Sequence, residues 1–187
     1  MDLRAPLQLQ SMIKSMSDVV LPAIDPDNSL AQEQAQLVLG MMHLMASRLP
    51  MQFSYDIDQL TRYVSLAREI LAHGEGGQRT KEELALLNTS VDNGAQALQG
   101  AQTSPADLEA AVLTLRARIS ALIETLWSDG EPTCRETISK AVLAASKEQI
   151  LRERAWFAPQ GWDADMSNYP SIESLIDYKK VASESDT

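Results

Sequence analysis

Leu108, Val112, Leu115, Ile119, Leu122 and Leu126 recur at spacings of four, three, four, three and four. That is an a/d seam, and only an α-helix brings such positions onto one line. Ser104 stands as its N-cap, Pro105 in its first turn and Asp107 as the reciprocal carboxylate, while Asp129-Gly130 ends it. A seam of this length must be buried against other helices, so it commits its neighbourhood to an all-α arrangement.

The rest of the chain follows the same period. A first helix is predicted over 7–24 from Leu9, Met12, Ile13, Met16, Val19, Val20 and Ala23, with Pro22 bending or ending it. Asp25-Pro26-Asp27-Asn28 is a turn cluster. A second helix runs from Asn28 or Ser29 to about 49, with Ser29 and Gln32 spaced as a capping box and Pro50 as its stop. Its second half, 37–45, is apolar nearly all round, which marks either a central element or a subunit interface. The third helix covers 52–73 on the stripe Phe53, Ile57, Leu60, Val64, Ala67 and Leu71, and Gly74-Glu75-Gly76-Gly77 reads as a C-cap and flexible loop.

Thr80-Lys81-Glu82-Glu83 opens a fourth helix as another capping box; it is the weakest by propensity because Asn88 to Gly94 is rich in poor helix formers, and a kink or an interruption is expected near Gly94. A sixth begins at Thr133 and reads to about 157 through Ile138, Val142, Ala145 and Gln149. Connections of four to eight residues suggest sequential antiparallel neighbours. The fold class expected is therefore all-α: a single domain of about six helices, an antiparallel up-and-down bundle over 1–157. An aromatic C-terminal extension follows over 158–182, packing on the bundle or a partner, and then a disordered tail over 183–187.

Composition excludes several functions. The 187 residues carry 16 Lys and Arg against 26 Asp and Glu, a formal charge of −10. A phosphate backbone demands clustered cations, and the first 50 residues hold just Arg4, Lys14 and Arg48, so neither nucleic acid nor an anionic membrane surface is expected as a partner. One Cys, Cys134, excludes an intramolecular disulfide framework and Cys-based zinc. The start of the chain lacks the unbroken apolar run of a secretory leader, and no run approaches the ~18 residues of a spanning helix. A soluble, cytoplasmic protein is expected.

Catalytic and cofactor motifs are absent from the sequence. The two His leave no Glu-x-x-His pair for a di-iron bundle and too few ligands for hydrolytic zinc; His73 reads as a cation at a helix C-terminus. Met41 and Met45 lie within about 40° of each other on a helix, while His43 points about 160° from Met45, so the trio makes no soft-metal site. No nucleophile elbow or phosphate-binding glycine loop occurs. No metal and no cofactor are expected, and the chain reads as non-enzymatic.

Two features remain. Met41, Met42 and Met45 give the second helix more apolar surface than one seam needs. From residue 156 onward lie five of the aromatic residues: Trp156, Phe157, Trp162, Tyr169 and Tyr178. Such a tail either clasps its own bundle, swaps onto a second copy, or docks on another chain, where Trp and Tyr dominate interface energetics. The interaction candidates are Met41, Met42, Met45, Trp156, Trp162 and Tyr169. The function expected is that of a helical accessory or scaffold protein that self-associates, as a dimer first, or docks on a partner protein. The alternative is a helical module that binds a small apolar ligand between helices, against the same Met-rich wall.

Overall fold

A computed structural model describes residues 4–162 and 168–176. The chain is an all-α helical bundle. Its elements are α1 (Ala5–Ser15), a π-helical turn (Met16–Val20), α2 (Leu21–Ala23), α3 (Ser29–Arg48), a 3-10 turn (Leu49–Met51), α4 (Gln52–His73), α5 (Gln78–Gln99), α6 (Pro105–Asp129), α7 (Pro132–Phe157), a second 3-10 turn (Ala158–Gln160) and α8 (Ile172–Leu175). The tail expected to be disordered over 183–187 lies outside the described residues, as do 163–167 and 177–182 of the extension. Among the described residues, no helix is long and apolar enough to cross a membrane.

Contacts group the described residues into two compact units. One holds the chain up to Gln52 together with Glu153–Ile172; the other holds Phe53–Arg152 and the residues from Glu173.

The second unit is built on the seam. All six seam residues of α6 are buried, and they meet Leu60, Val64, Ala67 and Ile70 of α4, Leu87 and Val91 of α5, and Cys134 and Ile138 of α7 in one apolar core. Two loops show how its helices alternate. Gly76 and Gly130 form an antiparallel bridge, so the α4–α5 turn lies beside the α6–α7 turn. Gly77 N–H donates to the Asp129 carbonyl at 2.8 Å, and Glu131 N–H to that of Glu75 at 3.1 Å. The glycine loop is thus held by pairing, not left free. A Cβ on Gly76 would lie 2.7 Å from the Asp129 carbonyl oxygen, a backbone atom, so the close approach there requires glycine.

That carboxylate also corrects a cap. Thr80 is not the N-cap of α5; the helix begins two residues earlier, and Asp129 Oδ2 accepts from the Thr80 N–H at 3.0 Å. An acid from another helix end supplies what a local capping box would have supplied. Similarly, Asn28 and not Ser29 caps α3, its Oδ1 accepting from Ala31 N–H at 3.1 Å. The short Asx side chain reaches the first turn from one residue earlier.

Ser104 and Asp107 do form the expected box on α6. The Ser104 hydroxyl donates to Asp107 Oδ2 at 2.6 Å and the Ser104 N–H at 2.9 Å, and these bonds hold the Asp107 carboxyl below the usual aspartate range. A lowered value means that the box stabilises α6 above the ordinary carboxylate range and loses that contribution as pH falls through the lowered value. NMR titration is expected to find Asp107 low in the native chain and returned toward the ordinary value in Ser104→Ala. Identical titration in both would contradict the box.

The first unit has a thinner core. Leu9, Ala35, Leu44, Met51, Ala155 and Ile172 are its buried apolar residues. The first helix does not end at Pro22. Leu21 N–H reaches back five residues to the Met16 carbonyl, and the widened π turn carries the helix through the proline, which has no N–H to give. α3 packs on α1 and α2 and on the turn Ala158–Gln160. Gln160 Nε2 donates to the Gly40 carbonyl at 2.9 Å.

Candidate functional site

α3 carries two exposed faces of opposite character. Leu30, Leu37, Val38, Met41 and Met45 are exposed, and at about 100° per residue they fall within an arc of about 100°. Leu49, just past the helix end, extends the same stripe. Gln34 is its one exposed polar member; Arg48 falls in the same arc but is buried, and the exposed Glu33 borders the arc beside Leu37. Gln36, His43 and Ser47 occupy the opposite, polar face. Ala35 and Leu44 are buried on the flanks between the two. A helix placed in this way turns its packed sides inward and leaves an apolar stripe open, with Met45 57% exposed.

Of the three methionines singled out in the sequence, Met41 and Met45 share this stripe. Met42 is half-buried and turns toward the packed flank. The expectation of a central helix is not what the structure holds: Ala35, Leu44 and Arg48 are the buried residues of α3.

The tail aromatics are held by separate contacts. Trp156 is half-buried beneath Arg48, whose guanidinium lies 5.6 Å from the ring centroid. Arg48 Nε donates to the Trp156 carbonyl at 2.9 Å and Nη2 to that of Ala155 at 3.2 Å. A buried cation thus meets the carbonyls at the C-terminal end of α7, where the helix dipole is negative. Trp162 stacks on Phe157 with centroids 6.1 Å apart, and it remains 62% exposed. Tyr169 is half-buried; its hydroxyl accepts from Arg154 Nη1 at 2.9 Å.

A second cluster, in the other unit, escaped the sequence reading. Arg152 is 2% exposed, and its Nη2 lies 2.5 Å from Asp58 Oδ2. Its Nη1 donates to Gln149 Oε1 at 2.9 Å, and its guanidinium lies 4.9 Å from the Tyr55 ring centroid. Among the described residues its Nε finds no hydrogen-bond partner. Burial pulls the Arg152 pKa below the ordinary arginine value, and the Asp58 charge opposes that shift. Arg62 bonds the same Asp58 oxygen at 3.0 Å and Glu148 at 2.8 Å, so two guanidiniums stand against two carboxylates. The signal was present: the α7 stripe Ile138, Val142, Ala145 continues at the same spacing through Gln149 and Arg152, and a seam that turns polar needs polar partners.

Among the described residues, no group of three His, Cys, Asp or Glu could hold a metal ion. Cys134 is buried and free, its sulfur accepting from the Glu75 N–H at 3.3 Å. An open groove of about 500 Å³ between Trp127 and Leu143 shares no residue with the α3 stripe. No protein-family model, no curated protein and no solved structure matches the chain.

Proposed function

We propose that the chain is a non-enzymatic helical accessory or scaffold protein, working in the cytoplasm, which docks another protein chain on the exposed stripe of α3. The observation that supports this reading is the character of that stripe: long, apolar, free of exposed charge, and set opposite a polar face on the same helix. Contiguous apolar surface of this kind marks association sites, because water is excluded from it at a gain roughly proportional to the area covered. The exposed Phe157–Trp162 stack adds a second apolar anchor in the same unit. Methionines suit such a face, since an unbranched thioether adapts to its partner.

Native mass spectrometry of the untagged protein, purified gently from its own host, tests the reading. The 20.6 kDa chain is expected in a stoichiometric complex with protein, and Met45→Glu is expected to lose that complex with helicity unchanged. A bare chain, a chain carrying just a small apolar molecule, or a complex indifferent to Met45→Glu would overturn it.

A further inference from the structure

Resting on the docking reading, we infer that the occupant of the α3 stripe is a second copy of this chain, seated antiparallel about a two-fold axis that passes beside the helix, level with the midpoint between Val38 and Met41. Three observations carry this. The first is charge. A chain of net charge −10 repels its own copies over most of its surface, yet the stripe holds no exposed charged side chain, Glu33 standing at its border and Arg48 being buried. Self-contact along the stripe therefore brings no like charges together.

The second is symmetry. An isologous contact needs a patch that matches itself when turned end for end. About a point midway between Val38 and Met41, Leu30 falls opposite Leu49, Gln34 opposite Met45 and Val38 opposite Met41, while Leu37 falls opposite Met42 at the half-buried edge of the stripe. Leucine closes both ends, and the thinnest side chain sits at the centre against a deformable one. Antiparallel seating also sets each helix's positive end beside the other's negative end.

The third is area. The stripe runs about 28 Å along the helix at ~1.5 Å per residue. Its exposed side chains leave roughly 500 Å² uncovered per copy, so a pair buries at most about 1,000 Å² through them, the lower edge of the specific-interface range.

Sedimentation velocity of the purified full-length chain over a micromolar concentration series is the test. A species of twice 20.6 kDa is expected. Met41→Glu places two carboxylates near the axis and is expected to leave a monomer. Leu30→Glu is expected to weaken association at least about tenfold, and Leu30→Glu combined with Leu49→Lys to restore it to within about threefold, because each new charge then faces its opposite on the other copy. Residues 30 and 49 are too far apart on one helix to pair with each other, so rescue reports the antiparallel contact and shows that the helix still folds. A monomeric wild type at all concentrations, a dimer untouched by Met41→Glu, or failed rescue would overturn the inference. A wild-type monomer that is nonetheless isolated from its host bound to a different protein would overturn self-docking and leave the docking reading standing.

Discussion

Replacing Asp58 with asparagine is expected to destabilise the chain by about 3–5 kcal/mol, because it leaves a buried guanidinium without its counter-charge. Arg152 is 2% exposed and its Nε already lacks a partner among the described residues, so only the neutral Gln149 and the Tyr55 ring would remain to face its charge with Asp58 gone. Arg62 loses the same carboxylate but is more exposed and keeps Glu148. Arg152→Met should be milder, because the carboxylate it leaves behind, Asp58, keeps the Arg62 guanidinium at 3.0 Å and no buried charge stands unpaired. The order of the two is the informative result. Urea unfolding midpoints read it, and an Asp58→Asn variant no weaker than Arg152→Met would show that the pair is not buried as a unit.

The second large effect lies on the seam. Leu115 is fully buried at the centre of α6, and Leu115→Ala is expected to cost about 3–5 kcal/mol through lost transfer energy and the cavity left behind. Leu113, two residues away on the same helix, is exposed, and Leu113→Ala should fall within about 0.5 kcal/mol of the native chain. Comparable losses at both positions would mean that the seam does not face the core. Thermal unfolding of the two variants under one buffer decides it.

Elements governed by local pattern were legible in the sequence. The 3.6-residue period places α4 within its observed bounds, and Ser104, Pro105 and Asp107 mark the start of α6 without help from tertiary structure. Elements governed by partners were not. α5 reads as weak and kinked from Asn88 to Gly94, yet it runs unbroken from Gln78 to Gln99. Gly94 is buried there; a Cβ on it would lie 3.1 Å from Val64 Cγ2, so the residue that costs propensity also lets two helices approach closely. The Thr80 and Asp129 cap was invisible for the same reason: its two halves are 49 residues apart.

The candidate face was half legible. The surplus of apolar residues in α3 could be counted from the sequence, as could the shared side of Met41 and Met45. Which flank of the helix packs could not be read, because Ala35 and Leu44 are no more apolar than the residues left exposed. Arg48 was missed as well. It reads as a basic residue in the last turn of its own helix, whereas its guanidinium meets the end of α7, more than 100 residues away in sequence.

Hydroxyl-radical footprinting of the assembly as isolated from its host reads out whether the α3 face is covered in the working protein. Trp127, 67% exposed and in the other unit, serves as the internal reference. Met41 and Met45 are expected to react many-fold more slowly than their exposure in the single chain dictates, while Trp127 stays reactive, and dilution into dissociating conditions should remove the protection. Methionines that react at the single-chain rate in the intact assembly would contradict that coverage.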